Sequence, residues 1–303
     1  MSFFATCSDK VSKYWTKYNI TSHHNFSSIE DSLDFLEWRN ACYLYYNDLM
    51  PTNEADNLVV LDYGCGPGHD LVSFSINSNP RRLIGADVSS TSLEEARNRL
   101  ALHQKKCEFI NLNSVKSGNI PLEDKSVDLI HCSGVLHHLE NPETVLKEFR
   151  RIIKPKGKIQ IMVYNYDSIW VHLYVAYELM IEKSEIRNKV LSILNLQRKQ
   201  ESLTDFFRRS TDGRLCPVSR FYKKDDFLRT LKESGFSAVY KGASISQLME
   251  LNRLNKRFSA ITNKRFPKEH RDFLNKLTFN AQGAAIYEGF TAGIGGCYLA
   301  RPK

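Results

Sequence analysis

The stretch Val59-Val60-Leu61-Asp62-Tyr63-Gly64-Cys65-Gly66-Pro67-Gly68 decides the fold of this chain. Its first half is a run of β-favouring apolar residues ending in an acid, the pattern of a strand buried on both faces. Its second half sets glycines at alternate positions, Gly64, Gly66 and Gly68, so the chain can turn tightly and expose bare backbone to a ligand. A buried strand leading straight into such a turn belongs to an α/β sheet with its site at the carboxyl edge of the strands.

Downstream residues repeat the unit. RLIGADV (82–88) reads as a second strand, and SLEEARNRLALHQ (92–104), preceded by Ser and Thr cap candidates, as a helix. EFINLN (108–113), VDLIHCS (127–133) and KIQIMVYN (158–165) read as further strands. NPETVLKEFRRIIK (141–154) is a helix with Pro142 in its first turn. Alternation of strands and helices implies a parallel sheet covered on both faces. Ahead of it, residues 28–50 carry apolar side chains at helical spacing; beyond it, SIWVHLYVAYELMIEK (168–183) is a strongly aromatic helix. KKDDFLRTLKESG (223–235) is a helix closed by glycine, and FSAVYKGASI (236–245) and AGIGGCYLA (292–300) are strands. The almost fifty residues between those strands are far more than a hairpin needs and have helical patterning, which makes them a candidate lid. The expected organisation is an N-terminal helical arm over 1–57, a core over 58–166, a helical and loop cap over 167–222, and the end of the core sheet over 223–303 with a helical insertion at about 244–290.

Composition narrows the class. The chain has 303 residues, 42% of them apolar, enough for a sizeable core. Its seven cysteines form no CxxC pair, so neither a disulfide framework nor a metal site is signalled, and no segment has the apolar length of a membrane span. A cytoplasmic protein with reduced thiols is expected. The net charge of +8 is spread along the chain and interleaved with acids. The densest basic stretch, from Arg253 to Lys276, has apolar residues at helical intervals and reads as a solvated helix face rather than a nucleic-acid patch.

A nicotinamide fingerprint would read GxGxxG; here the third glycine comes one residue early, His69 takes its place and Asp62 precedes the first glycine. LDYGCGPG instead resembles the first motif of class I S-adenosylmethionine-dependent methyltransferases, and residues 120–165, from IPLEDKSVDLIHCSGVLHHLENPE onward, resemble the later motifs of that family. The resemblance covers residues 55–166 and is nearest to the group that includes quinone, sterol and natural-product methyltransferases. It implies a Rossmann-like, doubly wound, seven-stranded and mostly parallel sheet with an antiparallel last strand, to which the helical arm and lid insertions are added. It also implies S-adenosyl-L-methionine as cofactor and S-adenosyl-L-homocysteine as product. Asp62 would orient the cofactor ammonium while the backbone of Gly64, Cys65, Gly66 and Gly68 approaches its methionine part. Asp87, at the end of the second strand, would accept from the ribose hydroxyls, or cap the helix that follows. Val88 would pack beside the adenosine, Asn113 or its neighbour Asn111 would accept from the adenine amine or simply sit in a turn, and Ser133 would lie beneath the sulfonium.

The acceptor is less legible. A sulfonium methyl is already activated, so alignment in a dry pocket suffices, and a base matters only where the methyl acceptor loses a proton. His137 and His138 are candidates for substrate contact or, as bare histidines, for capping and packing. Arg39 is set to contact the cofactor carboxylate or to form an ion pair, and Tyr164 and Tyr166 to line the pocket or pack a helix. In RRSTDGRLCPVSR (208–220), Arg209 and Arg214 suit an acidic or phosphorylated small substrate, or belong to a solvated loop. The Asn/Asp-Pro-Pro-aromatic loop of nucleobase amino methyltransferases is replaced by CSGVLHH, and the paired-glutamate loop of arginine methyltransferases is not evident. A small-molecule acceptor is therefore expected, with an RNA or protein methyltransferase, or a non-catalytic cofactor-binding protein, as the alternatives.

Overall fold

A computed structural model describes residues 4–114, 119–183 and 201–303. Helix α1 (Phe4–Lys17) and helix α2 (Ile29–Cys42) form the arm, and Ser28 caps α2 by accepting from the Asp31 N–H. A two-residue strand β1 (Tyr43–Leu44) and the turn-length helix α3 (Tyr46–Leu49) follow. Then come β2 (Val59–Tyr63), α4 (His69–Asn77), β3 (Arg82–Asp87), α5 (Ser90–Leu102), β4 (Glu108–Asn111), β5 (Val127–Ser133), α6 (Pro142–Ile152) and β6 (Ile153–Tyr164). Helix α7 (Trp170–Glu182) is π-wound, and α8 (Leu203–Thr211), α9 (Lys224–Glu233) and β7 (Phe236–Ser246) lead to the insertion. That insertion holds α10 (Arg257–Thr262), α11 (Lys268–Lys276) and the strands β8 (Thr278–Phe279), β9 (Ala285–Tyr287) and β10 (Phe290–Thr291), before β11 (Gly295–Pro302) closes the fold.

The main sheet has the order β1-β7-β11-β6-β5-β2-β3-β4. Strands β2 to β6 run parallel, and β11 inserts antiparallel between β6 and β7. This is the doubly wound α/β architecture expected, with one strand more than the seven anticipated. The arm leaves helical geometry at Cys42 and pairs Tyr43 with Ser246 and Leu44 with Ile245 on the exposed edge of β7. Helical spacing over 28–50 could not reveal this, because two residues are too few to show a period of two.

All five residues of β2 are buried, and its side chains alternate between two cores. Val59, Leu61 and Tyr63 join Phe149, Phe227 and Tyr298 on one face; Val60 joins Leu71, Phe74, Leu93 and Leu100 on the other. The insertion has a core of its own, in which Ile169, Leu173 and Tyr177 of the α7 region meet Phe266, Phe273 and Leu274. It is not purely helical: β8, β9 and β10 form a separate antiparallel sheet. Glu250, fully buried, joins insertion to core by accepting from the backbone N–H of Ser246 (2.9 Å), Ile294 (3.0 Å) and Trp170 (3.1 Å). The part of the expected cap over 184–200 lies outside the described residues. No described helix is long and apolar enough to cross a membrane.

Candidate functional site

The carboxyl ends of the parallel strands open into a cavity of about 980 Å³. Its floor is the glycine turn with Asp87, Val88, Leu112 and Ser133; its far wall is Met162 and Tyr164 of β6; α1, α2 and the residues 211–215 roof it.

The turn after β2 is held by its neighbour. The N–H groups of Gly64 and Cys65 donate to the Ala86 carbonyl (2.7 and 3.1 Å), and the Gly66 N–H donates to Asp87 Oδ2 (2.9 Å). The three glycines serve different ends. A Cβ at Gly64 would fall 2.1 Å from Val135 Cγ2, whereas one at Gly66 would meet nothing within 4 Å and point into open space. Gly68 is the N-cap of α4 and does not line the cavity; a Cβ there would meet Ala96 Cβ at 3.1 Å, so its role is to let α4 and α5 approach.

Asp62 lines the cavity with only 2% of its surface exposed, and its Oδ2 has no hydrogen-bond partner. Burial pushes its carboxyl up to about 7, against the pull of His131, with Asp70 and Asp87 adding to the rise. A buried orphan oxygen of this kind fits a ligand ammonium. Asp87 is likewise raised by burial, while the N–H groups of Ser89 and Gly66 oppose the rise. Each of its oxygens accepts one backbone bond, from Ser89 to Oδ1 (2.8 Å) and from Gly66 to Oδ2, which leaves a lone pair on each for a diol. Val88 lines the floor, and its carbonyl accepts from Ser12 of the arm (3.0 Å).

Asn113 does not reach this cavity. It is exposed in a short 3-10 turn, with its N–H donating to Asn111 Oδ1 (3.0 Å), and neither asparagine lines the wall; Leu112 does.

Ser133 shares a hydrogen bond of 2.8 Å with the Tyr46 hydroxyl, which also bonds Asp70 Oδ2 at 2.8 Å. Beneath them Arg39 pairs with Asp70 (2.5 Å) and lies over the Tyr46 ring, 4.5 Å from its centroid. Burial opposes the charge on Asp70, yet Arg39 and His131 hold its carboxyl well below the usual range. Arg39 therefore lines the cavity already bound to an internal carboxylate. Tyr46 and Asp70 also line the cavity, and sequence reading missed them. An acid in the first turn of α4 looks like an ordinary partner for the helix dipole.

The two histidines separate. His137 is fully buried away from the cavity, its ring 3.7 Å from that of Tyr164, and neither ring nitrogen has a partner. Burial and His138 hold its pKa well below 6.5. It packs the wall. His138 lines the cavity, with Nδ1 2.8 Å from the Val218 carbonyl and Nε2 3.7 Å from Asp212 Oδ1. Asp212, also overlooked, accepts from Tyr164 at Oδ1 (2.7 Å) and from Ser219 at Oδ2 (2.5 Å), and its carbonyl accepts from the Tyr14 hydroxyl. In sequence it stands in a Thr-Asp-Gly turn, where an aspartate has an ordinary local use.

Tyr164 is thus on the wall, while Tyr166 points away and donates to Glu269 (2.6 Å). Arg209 pairs with Glu201 (2.9 Å), Arg208 donates to the carbonyls of Arg214 and Cys216, and Arg220 donates to the Glu140 carbonyl. Of the four arginines in the loop, Arg214 alone lines the cavity.

Residues 61–161 match the family described as Methyltransferase domain. The tRNA U34 carboxymethyltransferase of Nautilia profundicola is 33% identical over 140 residues, which cover 43% of this chain and 42% of that protein. The malonyl-(acyl-carrier protein) O-methyltransferase of a Marinomonas species is 29% identical over 170 residues, 51% of this chain and 60% of that protein. An uncharacterized 37.1 kDa transposon protein of Streptomyces fradiae is 33% identical over 140 residues but is matched over only 39% of its length, so the chain spans about two fifths of such relatives. Among solved structures, the geranyl diphosphate C-methyltransferase of Streptomyces coelicolor A3(2) superposes with a TM-score of 0.50 at 11% identity, over 98% of this chain and 97% of that one. At that identity the likeness is one of fold.

Proposed function

We propose that this chain, which carries a class I S-adenosylmethionine-dependent methyltransferase domain, moves a methyl group to a small molecule held in the cavity between the strand ends and the arm. The carrying observation is that one cavity joins the glycine turn, Asp62 and Asp87 at one end to Tyr164, His138 and Asp212 at the other. The residues fit the cofactor. Asp62 offers an unpartnered buried oxygen for its ammonium, the open side of Gly66 lets its chain approach backbone, and Asp87 retains lone pairs for its ribose. When bound, the cofactor supplies an activated methyl on a sulfonium. The chain's own part is to align the methyl acceptor and exclude water, in a chamber roofed by α1 and the 211–215 segment.

The mouth is apolar: Tyr18, Ile20, Trp38, Leu215 and Leu248 line the cavity and are also exposed. Exposed apolar residues gathered at one opening suit a methyl acceptor with a sizeable apolar body. The RNA alternative draws on the basic 253–276 stretch, but much of that charge is used internally. Arg253 pairs with Glu178 (2.5 Å), Lys256 with Glu182 (2.6 Å) and Lys268 with Asp272 (2.5 Å), while Arg257 donates to the Leu274 carbonyl (2.7 Å). An acidic methyl acceptor would depend on Arg214.

The reading is tested by calorimetric titration with S-adenosyl-L-homocysteine, then by incubation with methyl-labelled cofactor and fractionated metabolites. Label in a low-molecular-weight product supports it. Label in RNA only, lost steeply with salt, would replace it with the RNA reading.

A further inference from the structure

Where the roof of the cavity meets Tyr164 of the far wall, two hydrogen-bond acceptors face one another. The Val218 carbonyl can only accept, so His138 Nδ1, 2.8 Å away, carries the ring hydrogen and Nε2 presents a lone pair. Burial lowers the His138 pKa, with Asp212 and Val218 opposing, so the ring is neutral at pH 7. Its Nε2 looks across 3.7 Å at Asp212 Oδ1, too far for a direct hydrogen bond. Hydrogen bonds from Tyr164 and Ser219 fix the carboxylate, and both His138 and Asp212 line the cavity. Cys216 completes a group whose ligand atoms lie within 4.8 Å of one another, but its sulfur is 4.0 Å from Nδ1, the nitrogen already committed to Val218. Its thiol donates to that same carbonyl (3.3 Å). The three side chains therefore do not converge on one ion.

We infer that His138 Nε2 and Asp212 Oδ1 together bind the X–H group of the methyl acceptor, so that the substrate is an apolar molecule presenting a hydroxyl or amino hydrogen at its reacting atom rather than a carboxylate or phosphate. This rests on the methyl-transfer reading of the same cavity. Two lone pairs at this spacing attract a hydrogen-bond donor and repel an anion. On transfer, the acceptor oxygen or nitrogen gains the bond to carbon, the carbon–sulfur electron pair stays on sulfur, and the departing proton passes to His138 Nε2.

The test measures binding of three probes with one apolar body, 2-naphthol, 2-naphthylamine and 2-naphthoate, to the full chain with and without S-adenosyl-L-homocysteine. The naphthol and the amine are expected to bind at least about tenfold more tightly than the carboxylate. Asp212→Asn and His138→Gln should each weaken them about tenfold while the affinity for S-adenosyl-L-homocysteine stays within about twofold. If Asp212→Asn does not fold, His138→Gln decides alone. Naphthoate binding as tightly as the others and lost in Arg214→Ala, equal binding of all three in every variant, or no binding at millimolar concentration would each overturn the inference. So would tight stoichiometric Zn2+ binding abolished by Cys216→Ala. Failure of S-adenosyl-L-homocysteine to bind would instead sink the cofactor reading, and the contrast between probes is still measured without it.

Discussion

Replacing Gly66 with alanine separates the cost to the fold from the cost to the ligand. Gly66 has a φ of +50°, and a Cβ placed there meets no atom within 4 Å. An L-residue in the left-handed region loses about 1–2 kcal/mol, and no overpacking is added. For a chain of this size about 1 kcal/mol lowers Tm by about 2–4 °C. The added methyl points into the space assigned to the cofactor, so S-adenosyl-L-homocysteine should bind at least about tenfold more weakly, a loss of about 1.4 kcal/mol. Gly64→Ala is the contrast. With a φ of +79° and a Cβ 2.1 Å from Val135 Cγ2, it adds overpacking to backbone strain, about 2–5 kcal/mol in all. Calorimetry gives the affinities and thermal melts give the stabilities. A Gly66→Ala protein that binds S-adenosyl-L-homocysteine with the parental Kd refutes the assignment of this turn to the cofactor.

Three further outcomes follow from the geometry. Asp62 is held at about 7 against an ordinary 3.8, a raised folded-state pKa, so the stability it contributes is complete below about pH 4 and is lost as pH rises through about 7. The difference is worth about 4 kcal/mol, and Asp62→Asn should flatten this alkaline loss in denaturant melts while weakening the binding of S-adenosyl-L-homocysteine; an unchanged pH profile would show that burial of Asp62 is not its cause. Glu250→Ala strips an acceptor from three buried N–H groups and should cost about 3–5 kcal/mol in urea unfolding, against a loss below about 1 kcal/mol if those groups find other partners. Tyr166→Phe and Arg209→Ala lie off the cavity; each should cost at most about 1 kcal/mol and leave cofactor affinity and turnover alone, and a fall in either would restore them to the site.

The sequence by itself determined the sheet, the glycine turn and the strand-end acids, because each depends on a handful of consecutive residues. A buried apolar strand, alternate glycines and an acid at the next strand end leave little freedom in where backbone and ligand meet. The tertiary structure alone decided which side chains reach the cavity. His137 and His138 are neighbours, yet one packs under Tyr164 and the other lines the wall; Asn113 turns outward and Leu112 inward; of four loop arginines only Arg214 arrives. Asp212 meets His138 and Tyr164 across 74 and 48 positions, and Tyr43 pairs with Ser246 across 203. Such contacts are set by how helices and loops pack over the strand ends, a long-range balance of burial and hydrogen bonding that leaves no period or spacing in the local sequence.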